Sequence, residues 1–168
     1  MLALILICLA ASNGVQASHK MAEPDMDEVN KYKPKIKKVT ENLSMGPSVL
    51  AGMISRDSQG VKQLDDGWNK DKSGYGLMQA GKQNDLVEPR DSEDHLDKAT
   101  KVLTGRIHEI KKKFPSWTAK QQLNGAVVNY HMGTNNVSRF NYINADSPRD
   151  DYAADVIARA RYYKRKRY

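Results

Sequence analysis

One carboxylate in this chain stands where a proton donor could be built. Asp57 follows Met53 and Ile54 by four and three residues, so a helix through that run places it on the apolar face and at the helix C-terminus. Burial disfavours the charged form of a carboxyl, and the negative end of the helix dipole acts in the same direction. A carboxyl that keeps its proton near neutral pH is what general acid catalysis needs. The alternative is a helix that ends one residue earlier and turns Asp57 into solvent. His95, His108 and His131 have no spacing suited to a metal site, and Cys8 is the only cysteine, so neither a metal nor another cofactor is expected.

The elements that must position Asp57 follow from periodicity and punctuation. Pro47 suits a first helical position, with Val49, Leu50, Met53 and Ile54 continuing at helical spacing. Upstream, Met26, Val29, Ile36, Val39 and Leu43 carry a helical pattern that Pro34 should kink or split. Residues 58–91 hold glycines at 60, 67, 74, 76 and 81, with Pro89, and no lasting period. A loop that long inside one domain predicts short strands or turns and a functional use. Ser92 or Asp91 can cap a helix with the stripe Leu96, Ala99, Leu103, Ile107, Ile110 and Phe114, which Pro115 stops. Thr118 and Gln121 form a capping box that opens a helix with Leu123, Ala126, Val127 and Tyr130 on one face. A polar turn over 135–149 then leads to a last helix marked by Tyr152, Val156, Ile157, Ala160 and Tyr163. The sum is a mainly α domain with one irregular segment in its middle.

The chain has 168 residues, 39% hydrophobic and 28% charged, which suits one domain with one core. A mean hydropathy of −0.71 excludes a polytopic membrane protein. Residues 2–11 are apolar or small, and Ser12, Asn13, Gly14, Val15, Gln16 and Ala17 follow in the order of a secretory signal, which predicts a leader over 1–17 and a mature domain over 18–168. A buried N-terminal helix is the alternative. The net charge of +7 is concentrated at the other end, where 156–168 hold Arg159, Arg161, Lys164, Arg165, Lys166 and Arg167 and no acid. Two or three cations there would suit a helix terminus. Six of them, interleaved with Tyr162, Tyr163 and Tyr168, would suit an anionic surface such as a cell-wall polymer, lipid head groups or nucleic acid. No nucleic-acid-binding motif accompanies them.

Five stretches in order carry a family resemblance. They are Ala51-Gly52-Met53-Ile54-Ser55-Arg56-Asp57-Ser58; Asp66-Gly67-Trp68; Gly76-Leu77-Met78-Gln79; Lys113-Phe114-Pro115-Ser116-Trp117-Thr118 with Gln121-Gln122-Leu123; and Asp150-Asp151-Tyr152-Ala153 with Ala158-Arg159-Ala160. Together they resemble the goose-type (g-type) lysozymes from about Gly14 to the C-terminus, and look closest to the fish members. The resemblance implies a lysozyme-like, mainly α fold with a small β element beside a peptidoglycan cleft. It also implies inverting hydrolysis of the β-1,4 bond between N-acetylmuramic acid and N-acetylglucosamine, in antibacterial defence outside the cell.

The same resemblance implies roles. Asp57 stands in the position of the general acid, which is Glu in the family. Asp71 is the substitute for a water-positioning Asp whose own position holds Lys70, and a second such position holds Gly81. Gln79, Tyr130, His131 and Tyr152 are implied to bind substrate, with His131 where the family has Asn. Exchanging Glu for Asp retracts the carboxyl by about 1.5 Å, while proton transfer needs contact at about 2.6–3.2 Å. The expected activity is therefore weak, and the alternative is an impaired enzyme that binds peptidoglycan or anionic bacterial surfaces. The expected partners are peptidoglycan, N-acetylglucosamine oligomers and, through the basic end, anionic wall polymers, with a monomeric chain and no nucleic acid.

Overall fold

The computed structural model describes residues 2–132 and 151–168, with side chains described over 16–132 and 152–168. The expected polar turn over 135–149 and the apolar side chains of 2–11 lie outside the described residues. The described elements are α1 (Leu2–Asn30), α2 (Lys33–Thr40), α3 (Pro47–Asp57), β1 (Gly74–Tyr75), β2 (Ala80–Gly81), a 3-10 turn (Lys82–Asn84), α4 (Glu93–Lys113), α5 (Ala119–Met132) and α6 (Asp151–Arg165). Pro34 splits the first helical pattern: it lies in the first turn of α2, where its missing N–H costs nothing. α1 itself runs unbroken past Ala17 and Pro24.

The predicted caps are formed. Ser92 accepts from the His95 amide at 3.1 Å to open α4. At the start of α5, Gln121 Oε1 accepts from the Thr118 amide at 2.8 Å while Thr118 Oγ1 accepts from the Gln121 amide at 3.2 Å.

α3 is the axis of the core. Every residue from Ser48 to Ser55 is buried, with α6 its most extensive partner and α1 and α2 beside it. Gly52 sets how closely α6 approaches, because a Cβ there would come within 2.7 Å of the Val156 carbonyl and 2.8 Å of the Ala160 nitrogen. Backbones this close bring Tyr152, Asp155 and Arg159, which share one face of α6, directly onto α3.

The C-terminal cations divide differently from the expectation of six on one surface. Arg159 is 1% exposed and belongs to the core, while Arg161 and 164–167 are exposed. The tyrosines are not interleaved with them on a binding face. Tyr162 and Tyr163 are buried against α1, where the Tyr163 hydroxyl donates to the Ala22 carbonyl, and Tyr168 donates to Asn30 Oδ1. Helical periodicity turns these rings inward as it turns the cations out.

The irregular middle carries the β element. β1 and β2 pair antiparallel, Gly74 with Gly81 and Tyr75 with Ala80, around a turn in which Gly76 has φ +80° and Gln79 φ +45°. Gly76 lies against the buried imidazole of His95, and a Cβ there would clash with its Nε2. Tyr75 meets that imidazole edge-on at 5.2 Å and packs on Trp68 at 4.8 Å. Ser58, the residue after α3, donates to the Leu77 carbonyl at 2.8 Å and so ties the end of α3 to this hairpin.

Candidate active site

α3 extends to Asp57, so the carboxyl emerges at the helix end on the inner side, partly accessible and not free in solvent. The Tyr152 hydroxyl, brought over it by α6, donates to Asp57 Oδ1 at 2.8 Å and to Oδ2 at 3.0 Å. Burial pushes the Asp57 carboxyl up to about 7, against the Tyr152 hydrogen bond and the positive charges of Arg56 and Arg159. The group therefore exchanges its proton in the range where a general acid works.

Three of the predicted binding residues gather around Asp57. Tyr152 lies under the imidazole of His131, with ring centres 3.9 Å apart and planes 12° from parallel. Tyr130 is buried near Asp57, whose charge adds to burial in raising the phenol well above its ordinary range. Among the described residues its buried hydroxyl has no hydrogen-bond partner, a costly state for a polar group. His131 is exposed beside it. The arrangement is a carboxyl, a donor phenol, a second phenol with unused capacity and a stacked imidazole at the junction of α3, α5 and α6.

Gln79 and Asp71 are placed differently. The Gln79 amide donates to the Gly67 carbonyl at 3.2 Å and the Gly76 carbonyl at 2.8 Å, and so closes the hairpin loop on itself. Asp71 is exposed, and its Oδ1 accepts from Ser73 Oγ at 2.6 Å and the Ser73 amide at 3.1 Å. Those bonds hold the Asp71 carboxyl below the usual carboxylate range. No contact joins Asp71 to Asp57 among the described residues. Gly81 lines a cavity with Trp68, Tyr75, Lys82, Asp85 and Leu86.

Five further residues that sequence reasoning did not assign to the site form a network beside Asp57. Arg159 bonds Asp25, Ser55 and Asp155, and Asp155 in turn bonds Arg56. The spacing of Tyr152, Asp155 and Arg159, three and four residues apart, was the available signal, since it puts one aromatic, one acid and one base on a single helix face.

The geometry agrees with the comparisons to known proteins. A family model described as "Lysozyme g" matches residues 9–167. Over 156 residues the chain is 44% identical to "Lysozyme g" of Casuarius casuarius, covering 92% of this chain and 84% of that protein. It is 40% identical to "Lysozyme g" of Cyprinus carpio, again over 92% and 84% of the two chains. It is 37% identical to "Lysozyme g-like protein 2" of Homo sapiens, over 92% and 71%.

Proposed function

The chain belongs to the lysozyme g family and is a glycoside hydrolase of the muramidase kind, and from that premise we propose that Asp57 is the proton donor for cleavage of the β-1,4 bond between N-acetylmuramic acid and N-acetylglucosamine in peptidoglycan. The observation that carries this reading is the Tyr152–Asp57 hydrogen bond at a carboxyl whose proton is held to about pH 7. Protonated Asp57 gives its proton to the glycosidic oxygen as the bond to the sugar carbon breaks. A water held on the opposite face of the ring attacks that carbon, with inversion. Asp71 is the carboxylate assigned to that water. Tyr130 is assigned to the glycan site through its place near Asp57, and the exposed His131 ring on Tyr152 offers an aromatic face for a sugar. Gln79 acts on the substrate indirectly, by fixing the hairpin that borders the cleft. The protein works outside the cell as a monomer, where its exposed C-terminal cations meet anionic wall polymers.

A second reading is favoured by one observation: Lys70 and Gly81 occupy the two positions where the resemblance expects a carboxylate, and Asp71 is bonded into its own turn. On that reading the cleft binds peptidoglycan and turns it over slowly or not at all. Release of reducing ends from a peptidoglycan suspension, by the wild type and by Asp57→Asn, separates the two. The first reading expects turnover that Asp57→Asn abolishes, with the product formed as the inverted anomer. Turnover retained by Asp57→Asn would remove Asp57 from the reaction. Retention on insoluble peptidoglycan without turnover would leave the binding protein.

A further inference from the structure

The acid has a cation as its chain neighbour, and that cation is held away from it. Arg56 precedes Asp57, and a guanidinium forked onto the carboxyl would keep it ionised and useless as a donor. Instead Arg56 Nε lies 2.9 Å from Asp155 Oδ2, and its guanidinium sits 5.6 Å from the centre of the Tyr152 ring. Asp155 is fixed from behind, because Arg159 Nε donates to its two oxygens at 3.1 and 3.2 Å. Arg159 is anchored in turn by Asp25 Oδ2 at 3.1 Å and Ser55 Oγ at 2.7 Å, and Ser55 donates to the same Asp25 oxygen at 2.8 Å. Charges therefore alternate through Asp25, Arg159, Asp155 and Arg56, and the series ends one residue short of the acid. Asp25, itself buried, already compensates the charge of Arg159. The second carboxylate is surplus to that task, and one of its oxygens is turned to Arg56.

We propose that Asp155 is a positioning residue for the hydrolysis: clamped by Arg159, it takes Arg56 and keeps that guanidinium off the Asp57 carboxyl, which is left with the Tyr152 hydroxyl as its hydrogen-bond partner. The proposal rests on the reading of Asp57 as the acid. Among the described residues, the charged and titratable groups around Asp57 are Arg56 on its own helix, Tyr152, Asp155 and Arg159 on α6, and Tyr130 on α5. His131 lies beyond Tyr152, and Asp25 on α1 lies beyond Arg159. Among them the two arginines favour the ionised acid, and Asp155 opposes them. Removing the Asp155 charge withdraws the opposition and releases Arg56 in one step.

The test follows two quantities on the full chain, kcat against pH and the carboxyl carbon-13 shift of Asp57 against pH. Asp155→Asn is expected to lower the Asp57 midpoint by about one pH unit or more and to move the alkaline limb of kcat with it, at nearly unchanged KM. Asp155→Glu is expected to hold both near the wild type, and adding Arg56→Gln to Asp155→Asn is expected to bring the midpoint most of the way back. A midpoint that stays put in Asp155→Asn, or a fall that Arg56→Gln does not reverse, overturns the proposal. If Asp155→Asn does not fold, Asp155→Ser, which removes the same charge with a smaller side chain, decides in its place: a lowered midpoint is expected, and an unmoved one overturns the proposal. The titration needs no turnover, so the two readings fail separately. Midpoints that move as stated in a chain without activity keep this arrangement and remove the hydrolytic role of Asp57, whereas turnover with unmoved midpoints does the reverse.

Discussion

The Tyr152 hydroxyl lies within hydrogen-bond distance of both oxygens of Asp57, at 2.8 and 3.0 Å, across a gap of 95 residues in sequence. Tyr152 can reach because Gly52 lets α6 settle almost backbone to backbone on α3. The pair joins stability to protonation: the same burial that keeps a proton on Asp57 makes its ionised form costly to the fold.

That cost has a sign and a pH window. The folded carboxyl titrates at about 7 against an ordinary 3.8, so between those values the native state holds a proton that the unfolded chain has lost. Stability contributed by this group is complete below the ordinary value and falls as pH rises toward 7. Asp57→Asn, which keeps the shape and a hydrogen-bond acceptor, is expected to abolish turnover. It should match the wild type in stability near pH 4 and exceed it above pH 7, by at most about 4 kcal/mol for a three-unit difference. Urea titrations at the two pH values check this.

His95 acts in the opposite direction. Burial holds its imidazole below the ordinary 6.5, so the unfolded chain takes up a proton there first, and stability is lost as pH falls from 6.5 through the lower folded value. Among the described residues neither ring nitrogen has a side-chain hydrogen-bond partner to receive a charge. Trp68, packed on the Tyr75 ring that meets His95, is expected to report loosening of the hairpin by fluorescence under acid conditions. His95→Met should suppress that transition while leaving the alkaline behaviour of Asp57 in place.

Supplying the carboxylates that the resemblance implies at positions 57 and 81 is expected to raise the rate. Asp57→Glu extends the acid by about 1.5 Å, and since a misplacement near 1 Å can cost about a hundredfold, at least about a tenfold gain in lytic rate is expected. Gly81→Asp requires only that the flexible end of the Gln83 side chain move aside, since Gly81 has φ −58° and a Cβ there would meet Gln83 Nε2 and Oε1 at 2.5 Å. If Asp57→Glu alone gives nothing in a folded protein, the double variant should give the gain. Failure of both in initial-rate assays would remove carboxyl reach and water positioning as the limits on activity.

Much of this fold could be read from the chain because its signals are local. Pro34 and Pro47 open helices, Ser92 and the Thr118–Gln121 box cap them, and the glycines of 58–91 mark the hairpin. Asp57 was legible for the same reason, as a carboxyl on an apolar stripe at a helix end. Arg159 was not. Counting cations by position makes it part of a basic tail, and only the approach of Asp25, 134 residues away, turns it into a buried anchor. Gln79 is a related case: its NH2 group donates to two loop carbonyls of a turn whose left-handed geometry its own residue type does not announce, while its Oε1 has no hydrogen-bond partner among the described residues.

The exposed end of α6 can be tested apart from the cleft. Replacing Lys164, Arg165, Lys166 and Arg167 by Gln should leave thermal stability within about 0.5 kcal/mol, as for other surface substitutions. It should also weaken sedimentation with anionic cell walls and flatten the salt dependence of binding, since exposed charges act over a screening length of about 8 Å at physiological salt. Binding unchanged at low salt would assign no partner to these cations.

The central claim is that a protonated Asp57 drives bond cleavage, and the dependence of kcat on pH for peptidoglycan hydrolysis by the wild-type chain tests it most directly. The expected profile holds its rate below neutrality and falls through an alkaline limb near pH 7, where Asp57 loses its proton. The limb should move upward in Tyr152→Phe, which removes the hydrogen bond that favours the ionised form. A rate that stays level through pH 9, or a limb indifferent to the loss of the Tyr152 hydroxyl, would contradict the assignment of Asp57 as the acid.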